Sequence, residues 1–184
     1  MNPIRRVCVV LVGVLAMTPL AALAQTAAPD PLAPVSQLVG DWTGVGEGEP
    51  GVSAATRHAA RVQNGRFVMV ERRSVYPKQD QNKSGEVHTS IDIWSYDRAR
   101  KVIVLRQFDS LGFVSTYVQD RAAGTDRRIV MVSEQMENVP RGLKARYTYE
   151  FVAPDEYRER FELDPDGKGL KTYVFGRYLR DRTD

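Results

Sequence analysis

The sequence predicts an all-β protein, a single antiparallel up-and-down barrel of about ten strands with one short N-terminal helix. Three observations carry this. From Trp42 onward the dominant period of apolar residues is two. Turn chemistry interrupts the pattern at a spacing of roughly eight to twelve residues. The connections are all short, without the long crossover that a parallel sheet requires.

The elements follow in order. "PLAPVSQLVG" spaces Leu32, Val35, Leu38 and Val39 as one short helix ending before Gly40. "GDWTGVGEG" begins the barrel, and "VSAATRHAARV" runs on from it to the turn "QNG". "RFVMVERRSVY" is rich in Val, Phe and Tyr, as strands are. "EVHTSIDIWSYD" alternates Val87, Thr89, Ile91 and Ile93 against His88, Ser90, Asp92 and Trp94, and the His88 set reads as a solvated outer face. "KVIVLRQFD", "FVSTYVQD" and "RRIVMVSEQ" follow, parted by "SLG" and "AGTD". In "LKARYTYEF" Leu143, Ala145, Tyr147, Tyr149 and Phe151 share one face, which must point inward. The same logic puts Tyr157, Phe161 and Leu163 of "EYRERFEL" inside, with Glu159 among them. "DPDGKG" lacks the later ligands of a calcium loop and reads as the hairpin turn before "LKTYVFGRYLR".

The N-terminus is an address rather than part of the fold. Arg5 and Arg6 precede the apolar "VCVVLVGVLAM", which is short for a span, and Ala22 and Ala24 form an A-x-A-like cleavage site. Residues 1–24 therefore read as a signal peptide, 25–34 as a Pro/Ala-rich disordered linker, and 35–184 as the barrel domain. The expected localisation is periplasmic or secreted, with no membrane span after cleavage. Cys8 is the only cysteine and lies within the signal, so the mature chain has neither disulfide nor thiol nucleophile.

Charge excludes one class of partner. The chain is formally +3, but removing Arg5 and Arg6 from its 26 Lys+Arg leaves 24 against 23 Asp+Glu. A near-balanced exported domain is not expected to bind nucleic acid. "GEGEPG", Gly46 to Gly51, matches G-x-G-x-x-G by form only. Glu47 and Glu49 would repel a pyrophosphate, and no helix follows to receive one.

The opening "LVGDWTGVGEG", with "GRFVMVERRS", "IDIWSYDRARKVIVLRQFDSLG" and the closing "YVFGRYLR", resembles the calycin-type barrels. It is most similar to nitrobindin-like domains and related bacterial secreted lipocalin-like barrels. The resemblance implies a small apolar ligand cavity and a first-strand tryptophan that closes one end under a last-strand arginine. Trp42 takes that role, with Arg177 or Arg180 as the cation. Nitrobindin binds haem through a histidine in the C-terminal part of its barrel, whereas this chain has only His58 and His88. Tyr173 and Tyr178 are the remaining candidates for a haem ligand, and the expectation is that no cofactor is bound.

No catalytic motif and no metal-ligand spacing is present, so no reaction is assigned. Glu71 and Glu159 read either as a lumen carboxylate pair or as partners of arginines such as Arg73 and Arg160. Arg106, Gln107, Tyr117, Tyr147, Tyr149 and Glu159 are candidate ligand-binding residues, as polar or amphipathic groups on barrel strands. The expected function is non-covalent binding of a small apolar or amphipathic molecule. The alternative is a structural or protein-interaction module of the cell envelope whose barrel is filled.

Overall fold

The computed structural model describes residues 29–182; the signal peptide read from the sequence lies outside the described residues. After helix α1 (Ala33–Ser36) come β1 (Gly40–Gly48), β2 (Ser53–Val62), β3 (Phe67–Tyr76), β4 (Glu86–Asp97) and β5 (Val102–Asp109). Then follow β6 (Val114–Gln119), β7 (Arg128–Glu137), β8 (Lys144–Ala153), β9 (Glu156–Asp164) and β10 (Lys171–Arg180). All ten strands form one closed antiparallel barrel in chain order, with β1 paired to both β2 and β10. Closure leaves no strand edge to pair with another chain. The "DPDGKG" turn joins β9 to β10 as a hairpin.

One end is closed by α1 and the other is an open mouth. Leu32, Val35 and Leu38 are buried against the barrel end, each contributing about 2 kcal/mol of hydrophobic stabilisation. The ordered domain therefore starts before Val35. Asp30 accepts from the backbone N–H of Leu32 at 2.9 Å and pairs with Arg61 of β2, so the last residues of the expected linker belong to the closed end. Trp42 lies beneath them at 1% exposure, its indole N–H donating to the Leu38 carbonyl at 2.7 Å.

The glycines of the first strand make room for this packing. Gly40 has φ +124°, and a Cβ there would lie 2.4 Å from a guanidinium nitrogen of Arg180. At Gly44 a Cβ would meet the Arg177 carbonyl at 2.3 Å and the Tyr178 ring at 2.6 Å. The run seats β10 against β1, which is why it resembles a phosphate loop only in spelling.

The inner face of β8 is as its alternation predicts, with Ala145, Tyr147, Tyr149 and Phe151 all buried. On β4 the expected faces are reversed. Ser90, Asp92 and Trp94 point into the barrel, while Val87 and Ile91 are nearly half exposed outside. Alternation fixes which residues share a face but not which face turns inward. Here the choice follows from Trp94, fully buried, and from an arginine inside the barrel that takes up Asp92. On β5 the lumen side carries Ile103, Leu105 and Gln107, which places Arg106 outside, donating to Ser95 Oγ at 3.1 Å.

Candidate functional site

The lumen has two levels. Towards α1 it is filled by Trp42, Val68, Trp94, Leu105, Met131, Tyr149 and Tyr157. Trp94 and Tyr149 meet edge to face at 5.2 Å, and Trp42 and Tyr157 do so at 4.8 Å. Towards the mouth a cavity of about 320 Å³ remains. Its upper walls are apolar, built from Leu111, Phe113, Met136, Val139, Leu143 and Leu163, and its floor is polar. A larger depression of about 670 Å³ lies on the outer wall around Asp41, His58, Glu71, Ile91 and Phe108. Open to solvent, that depression cannot bury most of a small molecule, so the lumen is the better candidate.

Ion pairs organise the floor. The Arg72 guanidinium of β3 donates to Asp92 Oδ2 of β4 at 3.2 Å and, across the lumen, to Glu159 of β9. Asp92 Oδ1 also accepts from Ser90 Oγ at 3.2 Å and Gln107 Nε2 at 3.0 Å. Burial pushes the Asp92 carboxyl above its ordinary value, while Arg72 and Gln107 pull it back. The Tyr147 ring stacks on Phe161 at 4.4 Å, with the Arg72 guanidinium 5.3 Å from its centre. Burial raises the Tyr147 hydroxyl to about 12, against the pull of Arg72, so it remains a neutral donor.

A second arginine, Arg57 of β2, is also buried and lines the cavity. It donates to the carbonyls of Thr56 at 2.9 Å and Arg73 at 3.1 Å, and to the Tyr178 hydroxyl. Its guanidinium lies 4.7 Å from the centre of the Tyr178 ring.

The candidates read from the sequence divide clearly. Gln107, Tyr117, Tyr147 and Glu159 line the cavity. Tyr149 does not reach it and packs in the filled level below. Arg106 is on the outer surface, for the alternation reason given above. Glu71 is also outside, so the carboxylates that converge are Asp92 and Glu159, bridged by Arg72 rather than by Arg73 or Arg160. At the closed end Arg180 is the cation over Trp42, 4.1 Å from the ring, and its guanidinium also donates to the carbonyls of Val39 and Gln37. Arg177 instead points outward and holds Glu156 at 2.7 Å.

The sequence pattern does not single out Arg57, Arg72 or Asp92 as site residues. The available signal was parity: Arg72 shares its alternation with Val68, Val70 and Tyr76, and Arg57 with Ala55 and Ala59.

The residues present do not fit a haem. His58 is outside the barrel, paired with Asp41 at 2.6 Å. His88 sits at the rim, tilted against Tyr76 at 5.5 Å and with Nε2 2.9 Å from Glu86. Burial pushes Tyr173 and Tyr178 up, away from the tyrosinate that iron would require, and Arg57 already holds the Tyr178 hydroxyl. Among the described residues no three His, Cys, Asp or Glu side chains converge as a metal site.

No family model matches the chain, and no curated protein does. Among solved structures it is similar to Rv2717c from M. tuberculosis, at 18% identity and TM-score 0.61, over 84% of this chain and 99% of that one. It also matches EF1p2_mFAP2b bound to DFHBI, at 11% identity and TM-score 0.40, over 80% of this chain and 96% of that one. A redesigned β-barrel, b11L5F_LGL, follows at 10% identity and TM-score 0.37, over 80% and 94%. Rv2717c supports the ten-stranded antiparallel barrel and nothing finer.

Proposed function

We propose that this protein is an exported binding module, periplasmic or secreted, whose barrel holds a small amphipathic molecule non-covalently. One observation carries the reading: the cavity of about 320 Å³ has apolar walls at its mouth and fixed polar groups on its floor. That division suits a ligand with an apolar body and a polar end, since a few placed polar groups in an apolar pocket set orientation. The floor is held by the Arg72 ion pairs and the Tyr147–Phe161 stack, so a ligand meets donors and acceptors already in position. Export is supported by the "MNPIRR" to "AALAQ" segment, and N-terminal sequencing of the mature protein should begin at or near Gln25. An intact Met1 on a soluble cytoplasmic product would remove that part of the proposal.

The tryptophan–glycine opening and the arginine laid over Trp42 support kinship with nitrobindin-like domains, with the haem ligation replaced. The decisive experiment is native mass spectrometry of protein purified from its own host's envelope. A retained small molecule released on denaturation is the expected result. Protein that carries none, and that gains no thermal stability from any amphiphile in a screen, would overturn the reading in favour of a surface-acting interaction module.

A further inference from the structure

We propose that the cavity selects amphiphiles bearing one anionic head group, a carboxylate in the simplest case, which Arg57 holds while the tail lies against the apolar mouth. The inference rests on the binding reading above and adds the charge of the ligand.

The two inward arginines differ in what surrounds them. Arg72 is committed, with both Asp92 and Glu159 on its guanidinium. Arg57 is 5% exposed, and among the described residues it has no carboxylate within ion-pair distance. Its partners are two backbone carbonyls and the hydroxyls of Ser74 and Tyr178, all neutral, and its Nε–H has no acceptor. Buried charges are normally paired, because desolvation without an opposite charge is expensive. A guanidinium on the wall of a cavity, held only by neutral groups, is a site that an anion completes.

The site is also rigid. The Tyr178 ring beneath Arg57 lies flat against β1 and β10, where Cβ atoms at Gly44 and Gly176 would come within 2.6 and 2.7 Å of it. The opposite head group is disfavoured by the same inventory. An ammonium would need Asp92 or Glu159, and drawing either from Arg72 would break a buried ion pair. A neutral alcohol would leave Arg57 as it stands.

The test compares three probes that share one tail: decanoate, decanol and decylammonium, titrated calorimetrically into the wild-type protein at neutral pH. Decanoate should bind about tenfold tighter than decanol or better, as expected for a charge-assisted hydrogen bond, and decylammonium more weakly than either. Arg57→Gln should abolish the preference for decanoate over decanol, while Arg57→Lys keeps part of it. Decanol binding as tightly as decanoate, or a preference that survives Arg57→Gln, overturns the inference and leaves the binding reading standing. If none of the three probes binds, the binding reading itself fails and the inference with it. The head-group comparison is made on wild type, so it decides the matter even if Arg57→Gln does not fold.

Discussion

Replacing Arg72 by Met would strip the only cation from two carboxylates that are almost wholly buried. The magnitude follows from what those groups must then do. A carboxyl of ordinary pKa about 4 that is forced neutral at about pH 7 costs about 4 kcal/mol, at roughly 1.36 kcal/mol per unit. Asp92 keeps its donors Ser90 and Gln107, whereas Glu159 has no other side-chain partner among the described residues. The loss at about pH 7 should therefore fall between about 4 and 8 kcal/mol, comparable to the whole stability of a small domain. Lowering the pH to about 5 reduces the neutralisation cost by about 2.7 kcal/mol per carboxyl, so the gap to wild type should narrow. The sign is specific. Orphaned carboxyls have raised native pKa values, so the variant gains on wild type as pH falls through them. Urea denaturation of both proteins at the two pH values measures this. The triple variant Arg72→Met, Asp92→Asn, Glu159→Gln should recover most of the loss, because no buried charge is left. A single variant within about 1 kcal/mol of wild type, or a deficit that does not change with pH, would refute the account of the floor as an obligate charge cluster.

Three further outcomes are expected. Trp42→Ala should cost about 3–5 kcal/mol in chemical denaturation, since it empties the space between Leu38, Tyr157 and Arg180; Arg177→Ala, on the outer surface, should leave the melting curve unchanged. Gly44→Ala should destabilise by about 1–3 kcal/mol in the same assay, because a Cβ there meets the Arg177 carbonyl at 2.3 Å, and added nucleotide should offer no protection. The hydrogen bond that His58 Nδ1–H donates to the Asp41 carboxylate raises His58 above 6.5, so that pair's contribution is complete below pH 6.5 and lost as pH rises through the folded value. Both groups are more than half exposed, so the effect should stay below about 1 kcal/mol and vanish in Asp41→Asn.

Much of the architecture was legible along the chain because strand alternation and turn chemistry are local. The period of two, the turns and the absence of a long crossover led to a closed meander, and the Tyr147–Tyr149–Phe151 face to its interior. The closing pair was half legible. Trp42 was assigned directly, but Arg177 and Arg180 lie three residues apart, on opposite sides of β10, and only the register Trp42↔Arg180 decides between them. The floor of the cavity was not legible. Arg72 and Glu159 are 87 positions apart and meet only because the barrel closes. On β3 and β4, moreover, charged and polar residues occur on both alternating faces. A polar residue turns inward when an opposite charge from a distant strand is there to receive it. The sequence by itself determined which side chains share a face. Only the closed tertiary structure decided that Arg72, Asp92 and Glu159 would neutralise one another inside, leaving Arg57 among neutral partners on the cavity wall.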